Sequence, residues 1–497
     1  MSGKYVGALD QGTTGTRFVL FDREGSPVVN AYEAHEQHYP EAGWVEHDPN
    51  EILDDAKRVM REALDEGGID PAEVDAIGLA NQRETTLLWE AGTGEPLHPA
   101  IVWQDRRTTD RIEDLDAEGK TGWIREKTGL QPDAYFSATK VEWLLDDLDC
   151  RDRAARDEIR FGTVDAWLLS QLCGEHVTDV TNASRTMLFD VREMQWDDDL
   201  LAEFGVPREI LPPVRPSSDE RAHGTLHEDV LGVEIPVTGV LGDQQAALFG
   251  QACFDPGETK NTYGTGSFLL ANTGEEVVES DHGLLTTVAF QRSGEEPRYA
   301  LEGSIFATGA AIEWLADVSL IEDPAETERL ARAVDSTDDV HVVPAFSGLG
   351  APLWDGRARG TIVGLTRKTR REHLVRATLE GIAFRTRDVI EAIEGDADVD
   401  VSRLRVDGGV VQNDALCEIQ ADLLDATVLR PVVQETTALG AAYAAGLASG
   451  FWDSMADLRD HWRIDARFEP GLEPAEADDR YDRWRDAVER ATGWARD

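Results

Sequence analysis

The chain has 497 residues, of which 41% are apolar, and its 97 acidic side chains against 48 basic ones give a formal net charge of −49. This length exceeds the roughly 250 to 300 residues that one hydrophobic core organises, so we expect two or three domains with room for a cleft between them. The acids are spread along the chain, and a surface of this sign excludes nucleic acid as a partner because it offers no basic stripe to phosphates.

The first 34 residues predict an antiparallel meander of three strands. Three β-rich runs, YVGALD, TRFVLFD and PVVNAYEAHE, are separated by turns that contain glycine. Asp10 stands where a signal peptide would need an apolar core, so we expect a cytoplasmic protein. No apolar run reaches the length of about 18 residues that spans a bilayer, so we expect no membrane insertion.

After the meander, helical and strand patterns alternate. The sequence predicts a helix near residues 50–66 and a strand, VDAIGLAN, at residues 74–81. An extended run, TTLLWE, follows, and a later strand, IPVTGVLGD, occupies residues 235–243. Strands that alternate with helices in this way are typical of a mixed α/β domain.

Near residue 257 the pattern of the N-terminus begins again. ETKNTYGTGSFLLANTGE predicts a strand, a Gly/Thr turn and a second strand, and GLLTTVAFQ predicts a further β-stretch. The elements expected after this point are helices at 306–317, 372–393, 413–425 and 437–449 and a strand at 403–409. The last helix is rich in alanine and glycine, so we expect it to pack closely against another helix between the domains. The repetition indicates two halves of similar plan, residues 1–250 and residues 251–497.

Two Gly/Thr turns, one in each half, contain groups that can surround a phosphate. The first, DQGTTGTR, spans Asp10 to Arg17 and offers backbone amides, hydroxyls and a fixed positive charge. The second, NTYGTGS, spans Asn261 to Ser267 and has the same chemistry at the equivalent place. Either turn alone is also consistent with an ordinary hairpin. Two such turns facing each other across a cleft favour a nucleotide site.

A third glycine segment, RVDGGVVQN, has Gly408 and Gly409 between a strand and a helix start, where the backbone can approach a flat or anionic ligand. A tight turn without a ligand is equally consistent with it. Gly119, Lys120 and Thr121 imitate the end of a Walker A loop, but the first glycine is missing and no strand precedes them. We therefore reject that motif.

Three charged residues follow predicted strands. Asp243 comes directly after IPVTGVLG, where a carboxylate can face the ligand edge of an α/β sheet or simply cap the next helix. Arg83 and Glu84 follow the strand at residues 74–81. They are consistent with an exposed ion pair, or with recognition of vicinal hydroxyls, since arginine donates and carboxylate accepts hydrogen bonds.

Motifs along the chain resemble those of the FGGY family of carbohydrate kinases. In order, they are DQGTTGTR, WVEHDP, ANQRETT, AIVWQDRRT, GTVDAWL, TNASRTM, GDQQAALFGQ, KNTYGTG, PAFSGLGAPLWD, GLTR, RATLEGIAF, RVDGG and ALGAAYAAGL. The resemblance runs from about residue 4 to about residue 470. It implies two duplicated actin-like, or ribonuclease H-like, α/β domains with a catalytic cleft between them.

The resemblance also implies the site residues of an ATP-dependent kinase that converts glycerol to sn-glycerol 3-phosphate. Glycerol is assigned to Arg83, Glu84, Trp103, Tyr135, Asp243, Gln244 and Phe268, with the two rings of Trp103 and Phe268 as an apolar wall. ATP is assigned to Thr13, Thr14, Gly15, Arg17, Thr265, Gly309, Glu313, Gly409 and Asn413. Mg²⁺ is assigned to Asp10 through water. Asp243 is the expected general base, because an alcohol holds its proton too tightly to attack a phosphate unaided.

Two other functions and several properties complete the expectations. The alternatives are a different FGGY polyol or ketose kinase and an actin-like ATPase that uses nucleotide to switch shape; the latter needs no Arg–Glu pair or aromatic wall beside Asp243. We expect a homo-oligomer, either a dimer or a tetramer. The segment HGTLHEDVLGVEIP lacks the Gly- and Arg-rich loop with which some bacterial members of the family bind fructose 1,6-bisphosphate. The acidic composition resembles that of halophile proteins, whose self-repulsion is screened at molar salt, so we expect stability to rise with KCl.

Overall fold

The structure, a computed structural model, describes residues 3–221 and 223–495, so the outermost residues of the two expected halves lie outside it. Two large β-sheets organise the molecule, one of six strands formed before residue 250 and one of seven strands formed after it. Among the described residues, no helix combines the length and apolar character needed to cross a bilayer.

The first half alternates strands and helices, as its sequence pattern predicts. Its strands are β1 (Tyr5–Gln11), β2 (Gly15–Phe21), β3 (Pro27–Ala34), β4 (Glu46–His47), β5 (Val74–Asn81), β6 (Leu87–Glu90), β7 (Ala100–Ile101), β8 (Ile159–Gly162), β9 (Thr178–Asp179), β10 (Phe189–Asp190), β11 (Gln195–Trp196), β12 (Val214–Arg215), β13 (Gly224–Thr225) and β14 (Pro236–Gly242). Its helices are α1 (Pro49–Gly67), α2 (Thr109–Ala117), α3 (Thr121–Thr128), α4 (Ser137–Asp147), α5 (Arg151–Ala154), α6 (Val164–Cys173), α7 (Val180–Ala183), α8 (Asp198–Glu203), α9 (Glu228–Leu231) and α10 (Asp243–Gly250).

The second half has fewer strands and longer helices. Its strands are β15 (Thr259–Tyr263), β16 (Ser267–Gly274), β17 (Leu285–Phe290), β18 (Arg298–Ile305), β19 (His341–Val343), β20 (Thr361–Val363), β21 (Arg403–Asp407), β22 (Thr427–Pro431) and β23 (Ile464–Phe468). Its helices are α11 (Gly309–Asp317), α12 (Glu326–Ala331), α13 (Arg371–Ala397), α14 (Asp414–Leu424), α15 (Thr436–Ser449), α16 (Met455–His461) and α17 (Pro474–Ala491). Short 3₁₀ helices occur at Pro71–Glu73, Arg208–Ile210 and Gly409–Gln412.

The two large sheets share a plan. In the first, the strand order is β13-β14-β5-β1-β2-β3, with β1, β5 and β14 parallel and β1, β2 and β3 forming the predicted antiparallel meander. In the second, the order is β17-β18-β16-β15-β21-β22-β23, with β15, β21 and β22 parallel and β15 antiparallel to β16. Each half thus starts with a hairpin whose first strand also pairs in parallel with a later strand. This repetition confirms the predicted mixed α/β fold.

Helices cover both faces of the first sheet. α1 begins after Asp48, whose carboxylate accepts a hydrogen bond from the Asn50 amide, and its apolar side packs on the meander. Because side chains alternate along a strand, Leu9 of β1 belongs to the core under α1, whereas Val6 and Ala8 belong to the core under α15.

α15, the Ala/Gly-rich helix of the second half, therefore packs on the sheet of the first half. It also crosses α10 so closely that a Cβ atom added to Gly440 would lie 1.8 Å from the Ala246 carbonyl oxygen. The predicted close packing of this helix against another helix is confirmed. α10 begins at Asp243, so the contact between Gly440 and Ala246 packs α15 against the first turn of the helix that carries Asp243.

Candidate active site

The carboxyl ends of β1, β5 and β14 meet at one edge of the first sheet. Asn81, the last residue of β5, lies opposite Gln11 of β1 and Gly242 of β14. The segments that follow these strands converge because parallel strands end at the same edge. They are the first Gly/Thr turn, the loop that carries Arg83, and the start of α10 with Asp243.

Asp243 is the first residue of α10 and not its cap. The N-cap is Gly242, which has no side chain, so the interpretation of Asp243 as the N-cap residue is wrong. The Asp243 side chain is 27% exposed, and its Oδ1 lies 3.3 Å from Arg83 Nε and accepts a hydrogen bond from the Gln244 amide. Burial raises the pKa of Asp243 above its usual value even though the Arg83 guanidinium opposes the shift. The carboxylate is thus accessible and unusually basic.

A buried ion cluster lies behind Asp243. Arg83 donates two hydrogen bonds to Glu302 at 2.5 and 2.9 Å, and Arg185 bonds to Glu302 at 3.1 Å and to Glu84 at 2.8 Å. Arg83 and Glu84 are 2% and 1% exposed, so the alternative of an exposed ion pair is wrong. Burial alone would raise the pKa of Glu302, but the guanidiniums of Arg185 and Arg83 lower it to about 2. The cluster therefore stays ionised.

Three aromatic rings form one wall of the site. The ring centroids of Trp103 and Tyr135 are 5.3 Å apart, and those of Trp103 and Phe268 are 6.3 Å apart, in edge-to-face arrangements. Arg83 donates to the Tyr135 hydroxyl at 3.4 Å and lies 5.8 Å from the Phe268 ring centre. Trp103 Nε1 donates to Thr13 Oγ1 at 2.9 Å, which attaches this wall to the first Gly/Thr turn.

The first Gly/Thr turn joins β1 to β2. Asp10 and Arg17 lie opposite each other at its base. Arg17 is 35% exposed, with Nη1 3.4 Å from Glu435 Oε1, so its guanidinium is accessible to an anion. The remaining predicted phosphate contacts, at the tip of this hairpin, are Thr13, Thr14 and Gly15.

Asp10 is the carboxylate at the base of the first Gly/Thr turn, where Mg²⁺ is expected. Burial raises its pKa to about 7, and the neighbouring carboxylate of Asp243 adds to the shift. Within residues 3–221 and 223–495, no group of three or more His, Cys, Asp or Glu side chains is arranged to hold a metal ion. Kinases hold Mg²⁺ with one or two carboxylates together with substrate phosphates, and Asp10 beside the phosphate turn fits that donor set.

The second Gly/Thr turn borders an open cleft of about 520 Å³. All five of the predicted nucleotide contacts in the second half line this cleft: Thr265, Gly309, Glu313, Gly409 and Asn413. The backbone amides of Thr308 and Gly309 donate to the carbonyl oxygens of Thr265 and Gly264. This attachment explains why α11 begins at Gly309 rather than at residue 306, where the sequence pattern predicts it.

The opposite wall of the cleft is the segment after β21. Gly408 has φ of +94°, and a Cβ atom there would lie 2.3 Å from the Tyr263 carbonyl oxygen, so this position requires glycine. Asn413 caps α14 by accepting from the Leu416 amide, and its Nδ2 donates to Thr327 Oγ1 at 2.9 Å. This wall of the cleft is therefore formed largely by backbone, whose shape depends on Gly408 and on the cap of α14.

Three charged residues that sequence reasoning missed complete the site: Arg185, Lys260 and Glu302. Lys260 Nζ donates to Gln244 Oε1 at 2.6 Å, to Thr262 Oγ1 at 2.9 Å and to the Phe268 carbonyl at 3.2 Å. Burial lowers the pKa of Lys260 to about 8 against the attraction of nearby carboxylates. A signal was present in the sequence, since Lys260 is the single charge of the strand TKNTY and Glu302 is the single acidic residue of the strand RYALEGSI.

Comparisons with known proteins show the family to which this chain is similar. The models of the N-terminal and C-terminal domains of the FGGY family of carbohydrate kinases match residues 5–250 and 259–449. A glycerol kinase of Haloferax volcanii is 64% identical over 510 residues, covering 100% of both chains, and one of Halobacterium salinarum is 60% identical, covering 100% of this chain and 99% of that protein. The crystal structure of Plasmodium falciparum glycerol kinase with ADP is 36% identical with a TM-score of 0.93, covering 99% of this chain and 98% of that one.

Proposed function

The chain belongs to the FGGY family of carbohydrate kinases, and we propose that it transfers the γ-phosphoryl group of ATP to glycerol, giving sn-glycerol 3-phosphate. The observation that carries the proposal is the convergence of Asp243, the Arg83–Glu84 pair and an aromatic wall on one small, polar site. The full-length likeness to proteins named glycerol kinase supports the same substrate.

In this proposal Asp243 is the general base. It accepts the proton of the attacking hydroxyl while the new bond to the γ-phosphorus forms and the bond to the β-phosphate oxygen breaks. Its raised pKa suits the role, because a base works best when its pKa approaches the working pH. Arg83 Nε, 3.3 Å from Oδ1, holds the carboxylate in place.

The nucleotide is assigned to the two Gly/Thr turns and the cleft beside the second. Arg17 and the backbone amides of the first turn would neutralise the phosphates, and Thr265, Gly309 and Gly409 would hold the nucleoside side. Asp10 would hold Mg²⁺, which, when bound, offsets the negative charge that develops during transfer. Glu313, which lines the same cleft, would lie beside the adenosine.

Specificity for glycerol is expected to come from fixed donors and acceptors. A buried site that hydrogen-bonds each hydroxyl discriminates against analogues that lack one by roughly 10⁴- to 10⁵-fold, because its polar groups are then left unpaired. Arg83 and Gln244 are the donors in our assignment, and Glu84 and Asp243 the acceptors. The aromatic wall limits water around the reacting hydroxyl, so we expect slow hydrolysis of ATP without a polyol.

Three further features belong to the proposal. The separate sheets before and after residue 250 support a division into residues 1–250, with the polyol site and the first turn, and residues 251–497, with the nucleotide cleft. The use of ATP supports a cytoplasmic location. A homo-oligomer, dimer or tetramer, stays a prediction.

The test is a substrate panel in molar KCl. The protein is incubated with Mg-ATP and glycerol, D-xylulose, D-gluconate or no polyol, and both ADP and the phosphorylated product are measured. We expect rapid ADP formation and stoichiometric glycerol 3-phosphate with glycerol. Stimulation by xylulose or gluconate but not by glycerol would identify a different carbohydrate kinase. ADP formation at one rate in every mixture would instead identify a nucleotide-switch ATPase.

A further inference from the structure

Lys260 is a buried cation at the junction between the two sheets. It lies on β15 of the second half, yet its ammonium contacts Gln244 in the first turn of α10, which belongs to the first half. Its other two hydrogen bonds reach Thr262 Oγ1 and the carbonyl oxygen of Phe268, a residue of the aromatic wall. These three bonds use all three donors of the ammonium group.

The bond to Lys260 decides which way the Gln244 amide faces. The amide oxygen accepts from the ammonium at 2.6 Å. A flipped amide would put its NH₂ group against a group that has donors only, so the alternative orientation is unfavourable. The NH₂ group is therefore the part of Gln244 left to contact a ligand.

We propose that Lys260 is a positioning residue that makes Gln244 a hydrogen-bond donor to a polyol hydroxyl; this inference rests on the proposed function. The orientation complements the rest of the site, where Glu84 and Asp243 accept hydrogen bonds and Arg83 donates. A hydroxyl can both donate and accept, so a site that offers both kinds of partner in fixed places selects polyols. Lys260 also fixes the backbone of the strand that carries Phe268, so it aligns two sides of the site together.

A direct test of the orientation is Gln244→Glu. Glutamate keeps an oxygen for Lys260 but replaces the NH₂ donor by a second acceptor, and the new ion pair keeps Lys260 satisfied. We expect KM for glycerol to rise about tenfold or more, because a hydrogen-bond donor is lost at a buried site, while KM for ATP changes less than about twofold. An unchanged KM for glycerol would overturn the proposal, since it would mean that the amide oxygen faces the ligand.

The coupling between the two residues is tested by a double-mutant cycle with Lys260→Met and Gln244→Ala. If Lys260 acts through Gln244, each single variant raises KM for glycerol and the double variant is no worse than the worse single one. Additive effects would overturn the proposal, since Lys260 would then act independently of the amide.

Arg405→Met is the matched control. Arg405 lies beside Lys260 in the sheet register, and its guanidinium bonds to the Gln251 carbonyl and to Glu258. Arg405→Met should lower the melting temperature but leave KM for glycerol unchanged. A rise in KM for glycerol equal to that of Lys260→Met would overturn the proposal. Failure of the wild-type protein to phosphorylate glycerol would refute the proposed function, and the same variants assayed with the polyol it does phosphorylate would still test the role of Lys260.

Discussion

The two ends of the catalytic cleft are built on opposite principles. The end that we assign to the polyol consists of buried charged side chains that hydrogen-bond to one another, with Arg83 and Arg185 sharing Glu302. The nucleotide end is an open cleft of about 520 Å³ whose shape comes from backbone and glycines, among them Gly309 and Gly409. One end is built from hydrogen-bonded charged side chains, and the other is an open groove shaped by backbone.

The contrast suits the ligands that we assign to the two ends. Glycerol is neutral and small, so it can supply only a few hydrogen bonds, and these discriminate only if their partners are already fixed. ATP brings several charges and a large flat base, so backbone amides, a few cations and a shaped groove suffice for it. Substitutions at the polyol end should therefore act on glycerol and on turnover, and substitutions at the nucleotide end on ATP.

The largest effect is expected from Asp243→Asn. The amide keeps the shape of the carboxylate but cannot accept a proton, so kcat should fall by about 10²- to 10⁴-fold, the usual contribution of a general base. KM for glycerol and for ATP should change far less, because binding contacts remain. Steady-state kinetics in molar KCl check this. A kcat within about tenfold of wild type would remove Asp243 from the role of base.

The next effect is expected from Glu302→Gln. Glu302 neutralises two buried guanidiniums, and breaking a buried ion pair destabilises a protein by about 3 to 5 kcal/mol. Arg83 would lose its fixed position, so KM for glycerol should rise at least tenfold while KM for ATP stays near wild type.

Glu258→Gln is the control for that change. Glu258 also pairs with two arginines, Arg405 and Arg459, but it is more exposed and belongs to neither ligand site. Glu258→Gln should lower the melting temperature less than Glu302→Gln does, and it should leave both KM values unchanged. If Glu302→Gln raised KM for ATP as much as KM for glycerol, the separation of the two ends would be refuted.

A smaller effect, on ATP rather than on glycerol, is expected from Gly408→Ala. The new Cβ would clash with the Tyr263 carbonyl, so the cleft wall must shift, and KM for ATP should rise several-fold with KM for glycerol unchanged. Gly68 also has a positive φ, of +60°, but no atom lies within 4 Å of a Cβ atom added to it. Gly68→Ala, the control, should cost about 1 kcal/mol of stability without a change in either KM. A change in KM for glycerol in Gly408→Ala would show that the two ends are coupled.

Local sequence patterns were sufficient for the two Gly/Thr turns and for several of the elements. The strand at residues 74–81 and the helix near 50–66 agree with β5 and α1, because alternation, caps and glycines act within a few residues. The convergence of the first turn, Arg83 and Asp243 could also be anticipated, since all three follow parallel strands. The individual roles of the remaining site residues came from the family resemblance.

The partners inside the site could not be predicted in this way. Arg83 and Glu302 are 219 residues apart in sequence, and nothing near either residue indicates the other. Lys260 is a single charge in a strand, and only the packing of β15 against α10 reveals that it holds Gln244. Long-range contacts of this kind depend on the tertiary fold, and they decide which charges can be buried.

The smallest expected effect, and the one that best separates the two ends, is the response to KCl. The net charge of −49 repels ATP, and this repulsion weakens as the screening length falls from about 10 Å at 0.1 M salt to about 3 Å at 1 M. Glycerol is neutral, and the ion cluster around Arg83 is buried and little affected by salt. KM for ATP should therefore fall a few-fold between about 0.1 M and 2 M KCl while KM for glycerol stays constant, with the melting temperature rising over the same range.

A control with choline chloride at equal ionic strength separates the screening of charge from the specific binding of K⁺. Parallel shifts in both KM values would mean that salt acts on the folded population as a whole, and an unchanged melting temperature would contradict self-repulsion of the acidic surface.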